Sequence, residues 1–453
     1  MKTFVLDSSV FVHNPQAIFT FKENNLIIPT LTIGSLLTIG RGHGLRAASA
    51  REALHQISTV FDSHISPFSS NAEEDIMDEE ALDQAYKEML EEQAKLQDLL
   101  DEDCDLDDND MACYPLHQTI STIPLANQLC CAAVGDGTAF LKCTYDEANM
   151  LNVMEEIPDG ILVTMDPAQR MLGLSRNIKV EVYRHDRTEQ SNGCYDGRSI
   201  AYLSSNQLSQ FEASQSGIDL PEHLQLYFQD HTTGEEKKRE SEYVLSENEF
   251  VVLKCRDNQE VEEQFGIYKH GRLVHLRYTD VFPHNAEPRN IGQRFAIEAL
   301  MTPATEAPLV LLVGEAGTGK THLSMACGIE QTKKELAYQS IVEIHPQSWS
   351  MERAEEYLST EQAYILIDSC QNYTPYQLKN IISKCAKGTK LVLMGDLEKI
   401  DNPYLDRYSC GLTYVADHMK SSPLCWQVTF QKDEYLPSAL SEEARRLFVT
   451  TPI

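Results

Sequence analysis

Between Leu309 and Thr321 the chain reads LVLLVGEAGTGKT, and this run dictates its own local fold. Five apolar residues, Leu309 to Val313, predict a short buried parallel strand. It leads into Gly314-Glu315-Ala316-Gly317-Thr318-Gly319-Lys320-Thr321, a full match to the phosphate-loop pattern G-x-x-x-x-G-K-[ST]. Glycine has no Cβ, so the backbone N–H groups can curl around an anion without clashes. Lys320 is placed to reach the outer phosphates of a nucleotide, and the Thr321 hydroxyl to ligate Mg²⁺. HLSMACGIE then reads as a helix whose N-terminal dipole also favours the anion. A glycine-rich turn without a ligand is the competing reading, and the order strand, loop, helix weighs against it. The motif implies a nucleoside triphosphate site with its magnesium ion.

A chain of 453 residues has room for two or three domains, and 42% hydrophobic with 24% charged residues is ordinary soluble composition. Asp7 interrupts MKTFVLDSSV too early for a secretory core, and no apolar run approaches the roughly 18 residues of a membrane span. The expectation is a cytoplasmic protein that does not enter a membrane. The twelve cysteines show no zinc-ligand spacing, which suits small buried side chains in a reducing compartment.

A net charge of −31 opposes broad, nonspecific nucleic-acid binding, which needs cationic surface. Much of that charge is local. Residues 73–110 hold eighteen acids against Lys87 and Lys95, a net −16 that leaves −15 for the rest. Leu82, Tyr86, Met89, Leu96 and Leu100 recur there at helical spacing, which predicts an amphipathic helix over 78–100 in a solvated acidic insert at about 66–120.

The remainder divides into three parts. Residues 1–183 open on TFVLDSS and close with GILVTMDPAQRMLGLSRNIKVEVY, two apolar strands ending at Asp7 and Asp166 with helical sequence after each. Alternating strands and helices predict a mostly parallel α/β sheet with its site at the strands' carboxyl ends. Two acids at such ends can share a divalent metal, or each can cap the helix that follows it. Residues 184–282 are polar and turn-rich, with EFVVLKC, EQFGIYKHG and RLVHLRY alternating as short strands, and predict a small β-rich module without recognisable chemistry. Residues 283–453 add YILIDSCQN, TKLVLMGDLEKIDNP and CWQVTFQK to the phosphate loop, the strand series of a RecA-like P-loop NTPase domain. Asp368 stands where a carboxylate holds Mg²⁺ through water, and Asp396 is a further acid near the phosphates.

From PRNIGQRFAIEAL through QNYTPYQLKNIISKCAKGTKLVLMGDLEKIDNPYLDRYSCGLTYV, the last part closely resembles the PhoH family of ATPases. The first part resembles a PIN nuclease domain through DSSVFVHNPQAIFTFKENNLIIP, GLRAASAREAL and LVTMD. The resemblance implies a PIN–PhoH arrangement, whose members are described as ATP-dependent RNA helicases with ribonuclease activity. It implies Gln293 at adenine, ATP and Mg²⁺ as cofactors, single-stranded RNA as a partner, and a homo-oligomeric ring, a hexamer in the family. Asp7 and Asp166 match two of the PIN metal acids, and Asp146 or Glu147 would supply another.

Departures from the family patterns are specific. The acidic pair after the second PIN strand falls on Gly34 and Ser35. The family's DEAQN becomes Asp368-Ser369-Cys370-Gln371-Asn372, so Ser369 replaces the Glu that polarises the attacking water. Lys399 replaces a Gln near the γ-phosphate, and Tyr435 a basic residue after the last strand. An arginine in that last role is worth about three to five orders of magnitude in rate. Only 47 residues lie between Lys320 and Asp368, without the segment that helps grip nucleic acid. The expectation is a chain that binds ATP to control assembly or partner contacts, with hydrolysis and RNA cleavage weak or lost and RNA held weakly.

Overall fold

The computed structural model describes residues 2–62, 130–344, 357–435, 440, 443 and 447, apart from 22, 43, 135–136, 143–148, 156, 158, 189–194, 223, 231–233, 241 and 258–262. The acidic insert at 66–120 with its expected helix, and Asp146 and Glu147, lie outside the described residues. Three sheets carry the described chain.

The first contains β1 (Thr3–Leu6), β2 (Asn25–Pro29), β3 (Cys130–Val134), β4 (Gly137–Lys142), β5 (Ile161–Val163) and β6 (Val180–Glu181). Their order is β3-β4-β2-β1-β5-β6, and every pair except β3–β4 is parallel. Helices α1 (Ser8–His13), α2 (Thr30–Gly40), α3 (Leu45–Asp62), α4 (Met150–Glu155) and α5 (Pro167–Ser175) accompany it. Alternation along β1 sends Phe4 and Leu6 into one core with α1 and α3, and Val5 into another with α4.

The second sheet runs β10-β9-β7-β11-β12-β13-β8, and only its β7–β11 pair is parallel. Its strands are β7 (Arg198–Leu203), β8 (Ile218–Asp219), β9 (Leu226–Gln229), β10 (Glu236–Lys238), β11 (Phe250–Cys255), β12 (Gln264–Lys269) and β13 (Arg272–His275), with α6 (Ser205–Ala213) beside them. Ala201, Leu203, Val251 and Leu253 face α6, whereas Ile200, Phe250 and Val252 face the third sheet's domain. There Phe250 stacks on Phe295 at 4.6 Å and meets Trp426 edge-on at 5.9 Å. The hydrophobic core therefore runs straight across residues 282 and 283, where composition suggested a boundary.

The third sheet is wholly parallel, in the order β15-β16-β17-β14-β18. It comprises α7 (Ile291–Met301), β14 (Leu309–Val313), α8 (Lys320–Ile329), β15 (Ser340–Ile344), β16 (Ala363–Ile367), α9 (Pro375–Ser383), β17 (Lys390–Gly395), α10 (Gly411–Met419) and β18 (Cys425–Thr429). All residues of β14, β16, β17 and β18 are buried, as expected for strands covered on both faces. Lys390 is buried too: its ammonium donates to Ala299 O at 2.9 Å and to Thr302 O, tying β17 to the C-terminus of α7.

Candidate functional site

The phosphate-loop sequence forms the turn after β14, the fourth strand in the order of this sheet. Gly317 and Gly319 take φ of +93° and +96°, left-handed values that a side chain would strain. A Cβ on Gly314 would stand 2.8 Å from Phe430 Cβ, so only glycine lets the loop turn against that ring. Gly319 caps α8, and the ordered sequence Gly314, Glu315, Ala316, Gly317, Thr318, Gly319, Lys320 and Thr321 wraps the helix N-terminus.

Lys320 is 7% exposed, and its ammonium donates to Gly314 O at 2.7 Å and Glu315 O at 2.8 Å. Burial pushes its pKa below the usual lysine value, against the opposing pull of Asp396 and Asp368. A phosphate at this position would supply the missing negative charge.

The acids are held with equal definition. Thr321 Oγ1 donates to Asp368 Oδ2 at 3.0 Å, joining the two residues that would share a magnesium ion. Asp368 Oδ1 accepts the N–H of Ser369, whose own backbone is left-handed at φ +56°. Asp396 clamps the loop instead: Oδ2 accepts Ala316 N–H and Oδ1 accepts Glu398 N–H, each at 3.0 Å. Gln371 laces the two strand ends together, accepting from Asp396 N at 3.1 Å and donating to Lys399 O at 2.9 Å. Ser369 and Lys399 both line the cavity at the phosphate loop, where the carboxylates among the described residues are Asp368 and Asp396.

An adjoining cavity shares Gly317, Gly319 and His322 with the first and continues over Gln293 and the segment 285–289. Gln293 Nε2 donates to Thr318 O at 3.0 Å, and its Oε1 accepts Arg289 N–H at 2.8 Å. The position expected at adenine thus also braces the phosphate loop, with one amide proton and one lone pair still to offer. Tyr435 lies against Gly317, where an added Cβ would come within 2.9 Å of its ring.

Sequence reasoning missed the brace behind this site. Arg198, from β7 of the second sheet, donates to Glu434 Oε1 at 2.8 Å, and both side chains are nearly buried at 11% and 6% exposure. The same oxygen accepts Gly292 N–H at 2.7 Å, while Oε2 accepts Gln431 N–H at 2.8 Å. Asn290 Nδ2 donates to Glu434 O at 2.9 Å. One carboxylate therefore joins the Gln293 segment, the turn bearing Tyr435 and the second sheet. No local pattern signals a pair 236 positions apart.

In the first sheet, Asp7 and Asp166 follow the adjacent parallel strands β1 and β5. Asp7 is 3% exposed, and its Oδ2 accepts from Ser9 N at 3.2 Å, Thr164 Oγ1 at 3.0 Å and Ser9 Oγ. It caps α1, and Asp166 caps α5 by accepting Ala168 N–H at 2.8 Å. Thr164 links them, receiving Asp166 N–H at 3.0 Å on the hydroxyl that donates to Asp7. Gly34 and Ser35 sit on α2, whose sequence TLTIGSLLTIG contains no acid. Among the described residues no three His, Cys, Asp or Glu side chains gather as a metal group.

A parallel five-stranded sheet with a phosphate loop after β14, between β17 and β18, defines a P-loop NTPase domain, here preceded by a PIN-like, mostly parallel sheet. The chain carries a PhoH-family domain behind an N-terminal PIN domain: the PhoH-like protein family matches residues 285–356 and 358–448, and the PIN domain family residues 4–112. Protein PhoH2 of Bacillus subtilis (strain 168) is 23% identical over 495 residues, spanning 96% of this chain and 97% of that protein. Protein PhoH2 of Thermobispora bispora is 24% identical over 199 residues, 33% of this chain and 45% of its own. A PhoH-like protein of Bacillus subtilis is 32% identical over 76 residues, 17% of this chain and 22% of its own.

Proposed function

We propose that this chain is an ATP-binding module that retains the nucleotide and hydrolyses it slowly, using occupancy to set assembly or partner contacts. The observation that carries the reading is the make-up of the phosphate-loop cavity: Ser369 and Lys399 line it beside Asp368, and Asp396 is engaged by the Ala316 and Glu398 N–H groups. Among the described residues, Ser369 stands where the family has the water-polarising Glu, and a hydroxyl cannot act as that carboxylate does. Binding has different needs. Backbone N–H groups of the loop, Lys320 and the α8 dipole would hold the phosphates, Thr321 and Asp368 the metal, and Gln293 the adenine. Magnesium, when bound, neutralises phosphate charge. In this reading the protein is cytoplasmic, forms a homo-oligomer (a hexamer by family resemblance) and holds single-stranded RNA weakly. By resemblance Asp7 and Asp166 would hold the PIN-site metal, whereas their capping bonds support a structural role.

The intact Thr321–Asp368 pair favours a second reading, an active ATP-dependent RNA helicase with a PIN ribonuclease. Binding itself is tested by melting the full chain in millimolar Mg·ATP. Wild type gains stability, about 2.7 kcal/mol at a hundredfold excess over Kd, and Lys320→Ala abolishes the gain. An unchanged wild-type curve contradicts the proposal.

A further inference from the structure

A second cleft opens between the PIN-like sheet and the NTPase domain, walled by Phe4, Phe19 and Phe21 on one side and Tyr376 and Tyr414 on the other. Phe19 is 39% exposed, high for a phenylalanine beside so much aromatic surface. Asp186 enters from the connecting segment and accepts a 2.8 Å hydrogen bond from Asn14 Nδ2 on Oδ2 alone. Among the described residues no cation pairs with it and no donor reaches Oδ1. Burial pushes its pKa up, only partly offset by Asn14, His185, His418 and Lys379. A half-buried carboxylate at an interdomain cleft, with one oxygen unused among the described residues, is placed to accept from a ligand there.

The lining also selects among ligands. Aromatic walls suit a planar ring, and a carboxylate acceptor suits a ring that presents N–H donors. At the rim Lys379 and His185 can receive a phosphate, while Glu23 is the further acid of the lining beside Asp186. Guanine places N1–H beside its exocyclic amine, two donors for one carboxylate. Adenine sets its amine beside a ring lone pair that the carboxylate repels. We infer that this cleft binds a guanine nucleotide, with the base edge on Asp186 and the phosphate toward Lys379 and His185. This second site is separate from the phosphate loop and does not depend on the ATP reading.

The test is calorimetric titration of GMP into full-length Lys320→Ala, in which the phosphate loop is disabled. Saturable binding is expected, weakened by about tenfold or more on adding Asp186→Asn, the loss of one charge-assisted hydrogen bond. Lys379→Ala, at an exposed position, should weaken it several-fold without disturbing the fold, which covers the case in which Asp186→Asn unfolds the cleft. AMP should bind at least about tenfold more weakly than GMP by the same reasoning. A short guanine-containing RNA, titrated in parallel, distinguishes a free nucleotide from an RNA base as the source, and loss of either in Asp186→Asn supports the site. No binding of GMP or RNA, binding indifferent to both substitutions, or AMP binding as tightly as GMP overturns it.

Discussion

Glu249 shows how far one side chain's surroundings can move its chemistry. It is fully buried in the second sheet, accepting from Ser246 N at 2.9 Å and from the Ser199 and Tyr243 hydroxyls, with Arg239 donating to Ser199 at 2.9 Å. Burial raises its pKa to about 7, and the Ser199 bond and Arg239 only partly oppose that. A raised carboxyl pKa means that the folded state holds the proton more tightly than the unfolded chain does. The contribution is present in full below the usual carboxylate range and fades as pH rises through about 7. Denaturant titrations at several pH values should show wild type losing up to about 3 kcal/mol relative to Glu249→Gln between pH ~4.5 and ~7.5. A wild-type-minus-variant difference independent of pH would mean that Glu249 stays ionised throughout.

Among the elements, the phosphate loop was the most legible, because glycine positions, strand hydrophobicity and helix pattern are all local. The PIN-like caps were legible only as alternatives. Asp7 and Asp166 at strand ends fit metal ligands or caps, and the sequence alone leans to caps; the hydrogen bonds that Ser9 and Thr164 donate to Asp7 are tertiary features that no local pattern shows. Asp7→Ala should cost about 2 kcal/mol, a cap plus a buried acceptor, read from the urea midpoint. Single-stranded RNA in Mn²⁺ should survive wild type and Asp7→Asn alike. Efficient cleavage lost in Asp7→Asn would restore the metal role. Alternation foresaw β11, β12 and β13, but not the parallel pairing of β7 with β11, which no local period encodes.

At the scale of the whole molecule, the second sheet and the NTPase domain share one hydrophobic core. A module without recognisable sequence motifs shares the NTPase core through Phe250 and Phe295 and sends Arg198 behind the phosphate loop to Glu434. Its contribution was illegible because packing and ion pairing across a domain boundary leave no motif. Arg198→Ala strands the buried Glu434 carboxylate and should destabilise the chain by about 3 kcal/mol. It should also weaken Mg·ATP binding several-fold, measured by titration where the variant remains folded. Undiminished affinity would reduce Arg198 to a purely structural tie.

The proposed function requires nucleotide binding to be separate from hydrolysis in this chain. Its most direct test is steady-state phosphate release by the purified full chain at saturating Mg·ATP, with and without single-stranded RNA, beside Lys320→Ala. The predicted result is turnover far below about 1 s⁻¹ in both conditions, although the nucleotide is bound. Turnover at or above about 1 s⁻¹ by wild type, absent in Lys320→Ala, would contradict it and return this chain to the active ATPases.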